Sequence, residues 1–299
     1  MIVALAMAIA FVSCSKDDDD PIMEEKNIVQ TASSDDRFSI LTEAITKAGL
    51  VSALEGAGPF TVFAPTNDAF NALFTQLGVS GVNDLSAEAL TPILLNHVVS
   101  GNIKSADVTT GYVPTLNNTA PGQNTVQIFA ESGAGVMVDG SKVIIADIKA
   151  TNGTIHAVDK VIVPANVVMH AINNPDFSIL VEAVVKAGLV EALSGAGPFT
   201  VFAPTNAAFN SLFADLGVSG IADLTAETLT PILLYHVVSG NIRASQVSTG
   251  SVPTLNEGSS ISIVVDNVGV TLNGGSSVIA TDVQGSNGVI HAINAVLLP

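Results

Sequence analysis

Tryptophan is absent from this chain and tyrosine occurs only at Tyr112 and Tyr235. A stacking platform for sugar rings or bases would therefore have to be built mostly from phenylalanine, which weakens a glycan reader. The only cysteine is Cys14, which excludes an intrachain disulfide and any cysteine-based metal site. Ten basic residues stand against 27 acidic ones, and a net charge of -17 repels nucleic acid, whose binding depends on Lys and Arg displacing counterions. Catalytic signatures are also missing: the sequence contains no G-x-S-x-G elbow, H-E-x-x-H pair, P-loop or G-x-G-x-x-G. The repeated turn Gly56-Ala57-Gly58-Pro59 and Gly195-Ala196-Gly197-Pro198 lacks the third glycine of a dinucleotide site. No enzyme, metal or cofactor is expected.

What remains is strongly apolar. Hydrophobic residues make up 48% of the chain, charged ones 12%, and the mean hydropathy is +0.52, far from the composition of a disordered protein. The apolar run from Ile2 to Val12 covers about half of a roughly 30 Å hydrocarbon layer, too little to span it. It suits the core of a signal peptide over residues 1–13. Phe11-Val12-Ser13-Cys14 resembles a bacterial lipobox, which implies that Cys14 is lipidated and becomes the mature N-terminus. Residues 14–25 then form an acidic tether, since the like charges of Asp17 to Asp20 repel and extend it. Lys16 followed by aspartates is similar to the signal that sends lipoproteins of Bacteroidetes-type bacteria to the outer face of the outer membrane. The expectation is a lipid-anchored, surface-exposed protein of the cell envelope.

An internal duplication organises the rest. With Phe38 aligned to Phe177, 60 of the 80 residues from Phe38 to Asn117 are identical to those from Phe177 to Asn256. The offset of 139 falls to 135 by Asn152-Gly153 and Asn287-Gly288, which assigns four extra residues to the first copy around Asn118 to Asn124. A period near 140 residues is domain-sized, so two self-sufficient domains are expected, at 26–164 and 165–299.

Each copy reads helical first and strand-like second. Phe70, Leu73, Phe74 and Leu77 follow helical spacing after Pro65-Thr66, and Phe209, Leu212, Phe213 and Leu216 repeat it. Thr91-Pro92 and Thr230-Pro231 suit a helix N-cap and first position, with Gly101 and Gly240 as left-handed stops. Beyond Asn117, β-branched runs at Thr125–Phe129, Gly135–Val138, Lys142–Ile148 and Thr154–Val163 should pair as strands. The fold class is α+β, with helices grouped at one side of a largely antiparallel sheet or wedge-like β-sandwich.

Three blocks recur in order in both copies. They are Thr61-Val62-Phe63-Ala64-Pro65-Thr66-Asn67, the His97 helix end, and Asn152-Gly153-Thr154-Ile155-His156 with Val161 to Pro164. The second copy has Thr200 to Asn206, Tyr235-His236, and Asn287 to His291 with Val296 to Pro299. Together they resemble fasciclin-type domains, which implies a non-catalytic module for cell adhesion or matrix attachment. The partner class so implied is an extracellular matrix or cell-surface protein, or a polysaccharide. The family's Tyr-His pair maps to Tyr235-His236, while the first copy departs, with Asn96 before His97. An Asp-Ile pair used in integrin binding maps to Asp147-Ile148, and Asp282-Val283 is its looser counterpart.

Each of these residues also has a structural reading. His97 and His236 suit a helix C-terminus, His156 and His291 a half-buried strand position, and two histidines per domain lack metal-ligand spacing. Thr66 and Thr205 suit N-cap duty better than nucleophilic attack. Asp147 and Asp282 either solvate a turn or present a carboxylate to a partner, and substituting them is then expected to leave the melting temperature in place. Glycan capture and a hydrolase cleft are the rival functions. For the anchor, the mature chain is expected to begin at Cys14 and partition into detergent, and Cys14→Ala to abolish this. Intact-mass analysis checks it, and an unmodified chain cleaved elsewhere refutes it.

Overall fold

The computed structural model describes residues 25–299. The signal peptide, Cys14 and nearly all of the tether lie outside these residues. In the first repeat, Asn27 starts α1 (Ile28–Ser33) with a capping box in which its side chain and that of Gln30 satisfy each other's backbone N–H. Helices α2 (Ser39–Lys47), α3 (Val51–Leu54), α4 (Asn67–Leu77) and α5 (Ala87–Asn96) follow, with strand β1 (Phe60–Pro65) before α4. Thr66 caps α4 by accepting the Ala69 N–H, and Gly78 closes it at φ 70°, where a left-handed residue is required. Phe70, Leu73 and Phe74 are buried, each burial contributing about 1.5–3 kcal/mol. Leu77, in the last turn before Gly78, leaves the stripe and is 50% exposed, as is Leu216 in the second repeat at 53%.

The reading of Thr91-Pro92 as a helix start is corrected. Ser86 caps α5 by accepting the Ala89 N–H, five residues earlier, and Pro92 sits inside the helix. Thr91 returns its hydroxyl to the Ala87 carbonyl. Thr225 likewise replaces Thr230 as the cap in the second repeat. Gly101 is no helix stop either, because α5 ends at His97 and β2 (Val98–Ser100) intervenes; its carbonyl accepts the Thr61 hydroxyl.

The remaining strands are β3 (Gly111–Pro114), β4 (Gln127–Ser132), β5 (Val136–Val138), β6 (Ser141–Ala150) and β7 (Gly153–Val158). They form one seven-stranded sheet in the order β2-β1-β7-β6-β5-β4-β3. Every pairing is antiparallel except one: β1 and β7, the second and third strands from the β2 edge, run parallel, with Phe60 opposite Gly153 and Val62 opposite Ile155. Strand β7 is buried along its whole length, as an interior strand covered on both faces must be. One face carries Val62, Ala64, Ile155 and Ala157 into the core beneath the helices. The other carries Phe63 and Val158 into a second core against Ile128 and Val138, where the β3–β5 half of the sheet folds back.

The second repeat reproduces this with α6 (Val167–Asn173), α7 (Ser178–Lys186), α8 (Val190–Ser194), α9 (Asn206–Leu216) and α10 (Ala226–Tyr235). Its strands are β8 (Phe199–Pro204), β9 (Val237–Ser239), β10 (Gly250–Pro253), β11 (Ser260–Val265), β12 (Val270–Leu272), β13 (Ser276–Gly285) and β14 (Gly288–Ile293). The length difference is larger than the offset suggests. Between Asn117 and β4 lie nine residues (118–126), and between Asn256 and β11 only three (257–259), so the insertion is six residues. The β4–β5 and β5–β6 turns (133–135 and 139–140) are each one residue shorter than their counterparts (266–269 and 273–275), and these two steps reduce the net difference to four.

The Asn-Gly pair before β7 joins sheet and helices. Asn152 Oδ1 accepts the Ile28 N–H at 2.9 Å, and its amide donates to the Leu54 and Gly56 carbonyls at 2.8 Å each. A Cβ on Gly153 would lie 1.9 Å from the Phe60 carbonyl oxygen, and on Gly288 2.1 Å from that of Phe199. Gly153→Ala is therefore expected to force β1 and β7 apart and destabilise the fold by about 3 kcal/mol or more, as strain at a special backbone position does. Thermal melting checks this; an unchanged melting temperature would refute the close approach.

Candidate functional site

The motif residues turn inward. His97 caps the end of α5; its Nδ1 donates to the Ile93 carbonyl at 2.8 Å, and Nε2 accepts the Ile162 N–H at 2.8 Å. Because Nε2 is an acceptor, the proton resides on Nδ1. His236 does the same with Ile232 and Leu297. Each imidazole thus ties the second sequence block to the segment that ends the third. Burial pushes both rings down to about 4, so they stay neutral. His156 uses Nε2 toward the Ile103 carbonyl at 2.9 Å and accepts the Asp147 N–H on Nδ1 at 3.2 Å. His291 holds Ile242 and Asp282 in the same way. With both nitrogens engaged, none of the four is free to ligate a metal, and the described residues contain no group of three or more His, Cys, Asp and Glu placed for one.

Asp147 and Asp282 sit at irregularities in β6 and β13, each at φ 61°, where their backbones turn left-handed. Asp147 accepts the Ser105 N–H at 2.9 Å and its hydroxyl at 2.6 Å, and these bonds hold its carboxyl below the usual carboxylate range. Asp282 accepts the Ala244 N–H at 2.8 Å and lies 3.5 Å from the Arg243 guanidinium. Both carboxylates therefore brace the segment that follows β2 or β9, and their removal is expected to lower the melting temperature, contrary to the loop-residue expectation. Val283 is corrected as an adhesion candidate: it is 5% exposed and packs in the helix-side core, because alternation along β13 sends it to the opposite face from Asp282. Ile148 is half-buried against the equivalent core. Tyr235 is buried, donates to the Ser260 carbonyl at 2.9 Å and accepts from Asn273 at 2.8 Å. Asn96 in its place reaches only the Ile162 carbonyl and leaves its Oδ1 unpartnered.

The seam between the repeats was not anticipated. Tyr112 of β3 packs edge-on to the His170 ring of α6 and its hydroxyl accepts from Asn174 at 3.2 Å. The first-repeat insertion supplies Pro121, whose carbonyl accepts from Asn241, and Asn124, which accepts from Arg243 at 2.9 Å. Gln127 accepts the Gln284 N–H at 3.2 Å. Most of these residues differ from their counterparts in the other copy: Tyr112 aligns with Ser251, His170 with Thr31, Arg243 with Lys104 and Gln284 with Lys149, while Asn241 keeps the Asn102 of the first repeat. That departure from an otherwise near-identical repeat was the available signal. Asp139 lies at the same seam, near Tyr112. Its Oδ1 accepts the Phe129 N–H, while Oδ2 has no hydrogen-bond partner. Burial pushes its carboxyl up to about 7.

The family model described as Fasciclin domain matches residues 36–164 and 175–299. Protein sll1483 of Synechocystis is 49% identical over 129 residues, which cover 43% of this chain and 71% of that protein. The transforming growth factor-beta-induced protein ig-h3 of Sus scrofa is 32% identical over 82% of this chain, and human periostin 29% over 82%. The chain spans only about a third of those two proteins, 35% and 29% of their lengths. Among solved structures, a FAS1 domain pair from the insect cell adhesion molecule Fasciclin I has the same fold, with a TM-score of 0.52 over 88% of this chain and 97% of that one, at 21% identity.

The seam yields a pH test. Asp139 has a raised folded pKa, so its contribution is fully present below its unfolded value of 3.8 and is lost as pH rises through about 7. His97, His170 and His236, depressed from 6.5 to about 4, contribute above 6.5 and lose this as pH falls through about 4. Asp139→Asn, which installs the residue of the second repeat's Asn273, removes only the first effect. It is expected to stabilise the chain by about 1–3 kcal/mol at pH 8, with the gap closing toward pH 4. Thermal melts across pH check this; a pH-independent gap would refute it.

Proposed function

Because this chain belongs to the fasciclin-domain family, we propose that it is a non-catalytic adhesion module that attaches a cell surface to an extracellular matrix or cell-surface protein. Fasciclin domains are associated with cell adhesion in homologues. The observation that carries the reading is that the motif side chains spend their polar atoms inside the fold, so His97, His156, His236 and His291 build no reactive cleft. The outer surfaces of two joined domains are what is left for contact. On this reading the lipid at Cys14 and the acidic tether hold the pair away from the outer membrane, and recognition uses loops and strand faces. The seam supports simultaneous engagement, since domains in fixed orientation present both surfaces with less ordering cost than domains on a loose linker.

The test is a binding screen of the full lipidated chain in detergent against matrix proteins, cell-surface proteins and polysaccharides. Saturable binding to a protein surface is expected, without turnover of any partner. Retention by polysaccharides alone would replace this reading with glycan capture, and release of products from any polymer would overturn it. Asp147→Ala binding must be compared at equal folded fraction, because the Ser105 contacts make that residue structural as well.

A further inference from the structure

The two repeats differ most consequentially where their helices cover the sheet. In the second repeat, α6, α7 and α8 enclose a cavity of about 110 Å³ over β8 and β14. Its lining is hydrocarbon except for His236, and both nitrogens of that ring are already bonded, to Ile232 and Leu297. A volume of this order is comparable to the apolar cavity of about 150 Å³ that stays dry and takes up benzene or xenon.

The first repeat shows how the space arises. The lining residues Val167 and Val184 stand where the first repeat has Ile28 and Ile45, so two methylene groups are withdrawn from the interior. The packing loosens accordingly: Val184 and Leu193 are 8% and 6% exposed, against 3% and 2% for Ile45 and Leu54. The rim changes in the opposite sense. Ser33, Thr42 and Thr46 of the first repeat return their hydroxyls to their own helix carbonyls. Their counterparts Ile172, Val181 and Val185 are apolar and line the cavity, and Ile172 and Val185 are also 57% and 61% exposed, so they form its mouth. Smaller residues inside and more apolar ones at the entrance are the changes an apolar ligand site requires. Random drift gives no reason for the two to coincide on one helix face.

We propose that the second repeat binds the end of a single, uncharged alkyl chain, inserting its terminal carbons between α6, α7 and the sheet while its polar head remains outside the mouth. The absence of any free polar group in the lining leaves no partner for a head group within it. A charged anionic head is disfavoured by the net charge of -17 and by the engagement of Lys186, the residue after Val185, which donates to the Ile221 and Ala222 carbonyls at 2.9 Å each. This site is independent of the adhesive reading, which its failure would leave untouched.

Calorimetric titration of the full chain with n-dodecanol tests it, with laurate as the charged comparison. One saturable site per chain is expected for the alcohol, with laurate binding at least tenfold more weakly at pH 8. Val167→Ile with Val184→Ile, which installs side chains that the same framework accommodates in the first repeat, should abolish binding and leave the chain folded. If that pair perturbs folding, Ile172→Ser with Val185→Thr at the exposed mouth should weaken dodecanol binding at least tenfold. Absence of saturable binding, equal binding of laurate, or undiminished binding in a folded variant of either kind would overturn the proposal.

Discussion

Each domain depends on one close approach. Where β7 begins beside β1, the backbone of Gly153 lies so near the Phe60 carbonyl that no side chain fits, and Asn152 just before it bonds the start of α1 and the end of α3 at once. This sets the parallel strand pair β1–β7 side by side and attaches the helical layer to it. Asn287 and Gly288 repeat every one of these contacts with Val167, Leu193 and Phe199. The helices cover the sheet in a fixed position because one amide side chain bonds elements more than ninety residues apart.

The buried histidines extend this logic outward from the strand pair. His97 and His236 join a helix end to the chain that leaves β7 or β14, and His156 and His291 pass from those strands to the turned backbone of Asp147 and Asp282. Removing any one ring would leave buried N–H or C=O groups unpaired, a cost of about 1–3 kcal/mol for each group. Residues that look reactive in a sequence thus serve to satisfy backbone groups that cannot reach water.

Duplication left two nearly equal frameworks, and their differences are where individual character lies. The six-residue insertion of the first repeat and the substitutions at Tyr112, His170, Arg243 and Gln284 build a polar seam between the domains. Asp139, unlike its counterpart Asn273, brings a carboxyl into that seam at the cost of an unpartnered oxygen. Elsewhere, the second repeat has lost two methylene groups and three hydroxyls along the lining of its apolar cavity.

The repeat, the α+β division, the α4 helix with its Thr66 cap and the family were legible in the sequence, because each rests on local chemistry or on residue identity at a fixed offset. Periodicity could not locate the start of α5: Pro92 resembles a first-turn residue, yet burial of Leu90 and Leu94 on one face carries the helix through it. Nor could it show that β1 and β7 run parallel, since strand patterning is blind to direction. The side of β13 that Val283 faces, the double engagement of every motif histidine, the seam and the cavity were decided by tertiary structure alone. Each depends on atoms far apart in the chain meeting within a few ångströms, where a single methyl group or a missing Cβ determines what fits.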